Sequence, residues 1–290
     1  MKHFNSKILL FGEHTVLYGS DALLMPFQRY WGKFDFVSPK QENKGELASH
    51  RILVSFSEFV AKSNLSYLFN TSQIALELSK GLYFNSNIPI GYGIGSSGAL
   101  VAAFYSKFKI GKEERNIEEV RRVLAELESY FHGSSSGFDP LVSYLDKPLH
   151  KSKTGVKPIN IDLSYFHSFL VDTATTRSTL SLVSVFKTKS QDPDFGTIAI
   201  PAFVESTNQC VKAILKNDTE VFFSHLKELS ALQFRYLQEF IPTNYFPLWE
   251  KGLDTDDFYL KLCGAGGGGY LLGFAKKSSE LPETGNLILL

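Results

Sequence analysis

Apolar residues are spaced along the chain in three ways, each predicting a different kind of element. Continuous apolar runs predict strands at Phe4 to His14, where Ile8-Leu9-Leu10-Phe11 leads into Gly12-Glu13-His14, and at Ala22 to Phe27. Phe34-Asp35-Phe36-Val37 alternates, so the chain opens as a β-rich sheet. Residues 38 to 50 are polar and aperiodic, which predicts an exposed loop. Helical spacing marks Arg51 to Phe59 and Ser72 to Leu82, the second with Ile74, Leu78 and Leu82 on one face. It is clearest over Lys112 to Phe131, where Ile117, Val120, Leu124, Leu127 and Phe131 share a face and His132-Gly133 offers a C-cap.

The second half repeats these patterns. Phe166 to Asp172 predicts a strand ending in a Thr-rich turn through Arg177, and Pro201 marks a boundary before helical patterns over residues 203–216 and 218–239. Phe258 to Leu262 and Tyr270 to Phe274 predict strands on either side of Gly264-Ala265-Gly266-Gly267-Gly268-Gly269, and Asn286 to Leu290 a terminal edge strand. Two blocks result, with a soft boundary between residues 150 and 170. A length of 290 residues suits two domains meeting at a cleft.

Composition narrows the classes. With 43% hydrophobic and 21% charged residues the chain is globular, and its 25 Phe and 13 Tyr are expected to fill cores. Lys plus Arg and Asp plus Glu both total 30, leaving no net field and no basic stripe, which argues against a nucleic-acid partner while allowing a local anion site. The basic start runs straight into Glu13-His14 without a cleavage site, and no apolar run reaches the roughly 20 residues of a membrane span; a cytoplasmic protein without a membrane partner is expected. Cys210 and Cys263 have neither disulfide-framework nor metal-ligand spacing and read as buried thiols.

Three segments carry candidate chemistry. Gly91-Tyr92-Gly93-Ile94-Gly95-Ser96-Ser97-Gly98 opens into the helix-prone Ala99-Leu100-Val101-Ala102-Ala103. Glycines followed by a helix N-terminus suit a phosphate, and Ser96 and Ser97 can add hydroxyls to an anion or a metal; a tight connection is the plain alternative. The absence of a lysine after the glycines excludes the common P-loop, and the spacing does not fit a dinucleotide fingerprint. Gly264 to Gly269, with five glycines, costs backbone entropy that close approach to a ligand would explain better than a flexible hairpin.

The third segment is acidic. Asp139 lies in a constrained loop before Pro140, eleven residues after Glu128. Glu128 with Ser97 could hold Mg²⁺ while Asp139 orients or deprotonates an alcohol; a surface carboxylate or helix cap is the commoner fate of either acid. Lys7 could offset negative charge beside Asp139, or snorkel at a strand edge. His14 lacks a third metal ligand and suits hydrogen bonding to substrate or backbone. Asp172, Thr173 and Arg177 could grip a carboxylate or phosphate, or form an ordinary turn.

Taken together and in order, these segments resemble the superfamily of galactokinase, homoserine kinase, mevalonate kinase and phosphomevalonate kinase (GHMP kinases). Lys7 to Gly19 is similar to its first motif, Pro89 to Ala99 to its phosphate loop through Gly93-Ile94-Gly95-Ser96-Ser97-Gly98-Ala99, and Cys263 to Gly269 to its third motif. Glu128 followed by His132-Gly133-Ser134-Ser135-Ser136-Gly137-Phe138-Asp139 looks most like the mevalonate kinase branch, as does Val171 to Thr179. The resemblance implies an α+β, two-domain GHMP kinase fold: an N-terminal ribosomal-protein-like α/β domain over residues 1–160 and a C-terminal ferredoxin-like α+β domain over 161–290.

It also implies ATP and Mg²⁺ as cofactors and a small-molecule alcohol, mevalonate, as substrate of a monomer or homodimer. Asp139 and Lys7 become catalytic, and Ser97 and Glu128 metal ligands. Gly91, Gly93, Gly95, Ser96, Ser97, Gly98, Ala99, Gly266 and Gly267 contact the nucleotide. Glu13, His14, Arg177, Gly264 and Ala265 contact the substrate, with Arg177 or His14 answering its carboxylate. Alternatives are another alcohol kinase of the fold, acting on phosphomevalonate, homoserine or a sugar, and a non-catalytic binding protein on the same scaffold. The sequence departs from the branch at Pro140, where Asn is common, at Ser135, a usual proline position, and at Cys263, where threonine is frequent. None of these removes a required charge.

Overall fold

The computed structural model describes residues 2–38, 43–111, 116–176 and 182–290. Its chain divides into two compact units: unit 1 holds Met1–Lys7, Met25–Pro89 and Ile94–Lys147, and unit 2 holds Ile8–Leu24, Ile90–Gly93 and Pro148–Leu290. Unit 2 therefore takes two segments from the stretch before residue 148. Among the described residues no helix is long and apolar enough to cross a membrane. The architecture is mixed α+β with two sheets, one containing strands β1 to β5 and one strands β6 to β9.

β1 (Phe4–Phe11) and β2 (Ala22–Phe36) each run from one unit into the other. The second apolar run and the alternating segment are thus one long strand, because Gln28 to Lys33 between them continues the pleat without a turn. Its later half pairs antiparallel with β3 (Leu82–Ser86), Gly32 opposite Ser86 and Phe36 opposite Leu82. Leu82 begins this strand rather than ending a helix, since Gly81 at φ 82° closes the preceding turn.

Among the described residues unit 1 also holds five α-helices: α1 (Lys44–Lys62), α2 (Thr71–Ser79), α3 (Ser96–Phe108), α4 (Ile117–His132) and α5 (Phe138–Leu145). Two expectations are corrected here. The predicted loop over 38–50 becomes helix from Lys44, because the Asn43 side chain accepts from the Gly45 amide and caps it, and Glu46 favours the positive end of the helix. Asp139 lies not in a loop but in the first turn of α5, where Pro140 loses no hydrogen bond by lacking an N–H. The predicted start of α4 at Lys112 falls in residues 112–115, outside the described residues. Aromatic rings fill this core, with Phe56 meeting Phe104 edge-on at 4.9 Å and Phe131 at 5.4 Å.

In unit 2, β4 (Leu149–Ser152) pairs with β5 (Gly155–Pro158) and with Ala22–Leu24 of β2. The other sheet has the order β7-β8-β6-β9, all antiparallel, with β6 at Phe166–Asp172, β7 at Phe258–Leu262, β8 at Tyr270–Lys276 and β9 at Leu287–Leu289. β6 to β9 match the strands predicted for this half. Helices α6 (Leu182–Lys189), α7 (Ile200–Lys216), α8 (Thr219–Tyr236) and α9 (Phe246–Thr255) join them. α7 and α8 are separated by Asn217, in the left-handed conformation, and Asp218, whose side chain caps α8 through the Val221 amide. Phe222 of α8 meets Phe166 at 4.7 Å and Phe274 at 5.2 Å, fixing helix to sheet.

Candidate active site

In unit 1 the start of α3 is the organising element. Gly95 holds φ 82° at its N-cap and contributes no capping side chain, so the first-turn amides of Ser96, Ser97 and Gly98 have no cap from that residue. Ala99 makes the first helical bond, its amide donating to the Gly95 carbonyl at 3.0 Å. A cap without a side chain leaves the positive end of the helix open to an anion. Gly91 and Gly93, which belong to unit 2, also have positive φ, at 83° and 70°.

Two glycines let other segments close in on this turn. A Cβ on Gly95 would stand 2.9 Å from Lys7 Cγ, and one on Gly98 would stand 2.9 Å from both the Asp139 carbonyl carbon and the Pro140 nitrogen. The absence of both methyls thus allows Lys7 and the first turn of α5 to lie against α3. Lys7 is further tied down by its amide, which donates to the Ile94 carbonyl at 2.9 Å. Its ammonium, 5% exposed as a residue, pairs with Asp139 Oδ2 at 2.9 Å. Lys7 is therefore a buried, partnered charge rather than a snorkelling one, and Asp139 keeps about a third of its side chain exposed, at 34%.

Glu128 comes from the last turn of α4 and is buried. Ser97 Oγ donates to its Oε1 at 3.1 Å and Ser135 Oγ to its Oε2 at 2.5 Å. With its one proton on Glu128, Ser97 Oγ is left to accept from the Nε2–H of His132, 3.0 Å away. Burial raises the Glu128 pKa to about 7, and the nearby Asp139 adds to the rise; the two serine hydroxyls and Lys7 pull the other way. A buried carboxyl in that condition would gain from a cation. Carboxylate and hydroxyl oxygens are the donors that Mg²⁺ prefers, so Glu128 and Ser97 fit that ion. Among the described residues no three His, Cys, Asp or Glu gather into a metal cluster.

In unit 2 the Gly12–His14 turn is built around a buried network that the sequence did not reveal. Glu13 Oε1 pairs with Lys261 Nζ at 2.5 Å and accepts from Gln233 Nε2 at 3.0 Å. Gln233 Oε1 in turn accepts from the Leu262 amide, and Lys261 Nζ donates to the Leu262 carbonyl at 2.7 Å. Lys261 is completely buried, so a lone charge in the otherwise apolar Phe258-Tyr259-Leu260-Lys261-Leu262 was the available signal of a partnered ion. His14 stacks on Phe186, ring centres 4.6 Å apart, and its Nε2–H donates to the Ala265 carbonyl at 3.1 Å.

The loop from Gly264 to Gly269 is held by backbone contacts. Gly267 donates to the Phe240 carbonyl and Gly269 to the Thr175 carbonyl, each at 2.7 Å. Gly264, Gly266, Gly267, Gly268 and Gly269 all have positive φ, which other residues would reach only under strain. This is an ordered loop, not a floppy hairpin. Arg177, the expected carboxylate partner, lies outside the described residues.

Lys7, Ser97, Glu128 and Asp139 thus meet in one unit, joined by Ser135 and His132, while Glu13, His14, Gly264 and Ala265 gather in the other. Comparison with known proteins gives the following relatives. Residues 60–147 match the family described as GHMP kinases N terminal domain. The chain is 26% identical to a mevalonate kinase of Thermococcus gammatolerans over 311 residues, spanning 95% of this chain and 89% of that protein. Its fold is similar to that of L. major mevalonate kinase in complex with R-mevalonate, with a TM-score of 0.65 at 19% identity over 95% of this chain and 87% of the other. It is also similar to the phosphomevalonate kinase of Streptococcus pneumoniae, with a TM-score of 0.61 at 14% identity over 96% and 91%. The chain belongs to the GHMP kinase superfamily, the ATP-dependent kinases of small molecules.

Proposed function

We propose that this protein transfers the γ-phosphoryl group of ATP to the hydroxyl of mevalonate, giving 5-phosphomevalonate. The observation that carries the reading is the Lys7–Asp139 pair at 2.9 Å, set against the uncapped start of α3. Full-length similarity to a mevalonate kinase supports the choice of alcohol.

In this mechanism the first-turn amides of α3, from Ser96 to Gly98, hold phosphate oxygens, as an open helix N-terminus does for anions. Asp139 accepts the proton of the attacking hydroxyl, and its exposed edge leaves room for that approach. Lys7 fixes the orientation of the carboxylate and offsets charge that builds on the transferred group. Glu128 and Ser97 would hold Mg²⁺, which when bound neutralises phosphate charge. The test is ADP release by the purified protein with mevalonate, phosphomevalonate, homoserine and galactose, beside an Asp139→Asn variant. Mevalonate should be turned over fastest, and the variant should lose about 100-fold or more in kcat. Faster turnover of another alcohol would overturn the substrate, and undiminished activity of Asp139→Asn would overturn the mechanism.

A further inference from the structure

Ser135 stands where the resemblance leads one to expect proline, and its hydroxyl makes two contacts that a proline could not. It donates to Glu128 Oε2 at 2.5 Å and accepts from the Gly137 amide at 2.9 Å. The first contact reaches the last turn of α4, and the second reaches the N-cap of α5, two residues before Asp139. Gly137 itself sits hard against α4, since a Cβ there would come within 2.3 Å of the Arg121 carbonyl oxygen. Arg121 Nη1 also donates to the Ser136 carbonyl, so the turn is held from both sides.

Glu128 has two oxygens and each has its own hydroxyl, Ser97 on Oε1 and Ser135 on Oε2. Of the two, only Ser97 lies on the first turn of α3. We infer that Ser135 is a positioning residue: by occupying Oε2 and anchoring the α5 N-cap, it turns Oε1 toward Ser97 and sets the cation-binding pair Glu128–Ser97 in register with Asp139. This rests on the assignment of Glu128 and Ser97 to Mg²⁺ made above. Partners that orient a ligating carboxylate commonly govern metal affinity as strongly as some ligands do.

The experiment is calorimetric titration of the intact protein with ADP, with Mg²⁺ and with excess chelator, for the wild type and for Ser135→Ala, Ser135→Thr and Glu128→Gln. Thermal unfolding is followed in parallel. Ser135→Ala should weaken ADP binding about 10-fold in Mg²⁺ and leave binding in chelator within about twofold, and Ser135→Thr, which keeps the hydroxyl, should restore most of the loss. Equal losses with and without Mg²⁺, or no loss at all, would overturn the inference and leave Ser135 as a turn residue alone. Glu128→Gln separates the two levels. If it retains the full Mg²⁺-dependent gain, the metal assignment itself fails and the role of Ser135 falls with it. If it loses that gain while Ser135→Ala keeps it, only the positioning role is refuted.

Discussion

Gly98→Ala tests whether the absence of one methyl sets the position of Asp139, the proposed base. The added Cβ would lie 2.9 Å from the Asp139 carbonyl carbon and the Pro140 nitrogen and 3.1 Å from Asp139 Cβ, where ordinary contact begins near 3.4 Å. Two of these neighbours are backbone, so the first turn of α5 must retreat from α3 by about half an ångström. Two effects oppose one another. Alanine in place of glycine favours a helix by up to about 1 kcal/mol, less in a first turn, whereas overpacking costs about 1–3 kcal/mol. The clash wins, with a net destabilisation of about 1 kcal/mol, readable by urea unfolding through the fully buried Trp249. Activity should suffer more than stability, because the atoms that move carry Asp139. Since misplacement by about 1 Å can cost about 100-fold, half that displacement predicts a fall of about 10-fold in kcat. A variant with kcat within about twofold of wild type and undiminished stability would refute the claim that close α3–α5 packing places Asp139.

Two further outcomes follow from the buried charges. Burial raises the Glu128 pKa from 4.5 to about 7, so the native state binds this proton more tightly than the unfolded chain. The stabilisation is complete below about pH 4.5 and lost as pH rises through 7; in chelator, Glu128→Gln should therefore be nearly neutral at pH 5 and stabilise by up to about 3 kcal/mol at pH 8, and a pH-independent difference in urea unfolding would contradict it. Lys261→Met removes one member of a completely buried pair and leaves Glu13 charged without its partner. It should cost about 3 kcal/mol or more, with Glu13→Gln/Lys261→Met recovering much of the loss, and a single variant within about 1 kcal/mol of wild type would rule out a strong pair.

Periodicity exposed what depends on neighbours in sequence. The face of α4 and the strands around Gly264 to Gly269 were legible because each is encoded within a dozen residues. What escaped depends on caps and on distant partners. Nothing in the polar stretch 38–50 announces helix until Asn43 is seen as a cap, and Pro140 reads as a breaker until it is placed in a first turn. Lys7, Ser97, Glu128 and Asp139 could be nominated from residue type, and the geometry that joins them required the glycines at 95 and 98 to be read as spaces. The roles of Lys261 and Gln233 were hidden because their partner, Glu13, lies at the opposite end of the chain.

The interleaving of segments bears on how this protein is made. His14 bonds to Ala265, 251 residues later, and Glu13 to Gln233 and Lys261. During synthesis, at about 5–20 residues per second, the N-terminal segment of unit 2 would wait tens of seconds for those residues to leave the ribosome. The Gly12–His14 turn without these late partners is a natural client for a chaperone, and nascent chains halted before residue 233 should hold Glu13 in water rather than in its final setting.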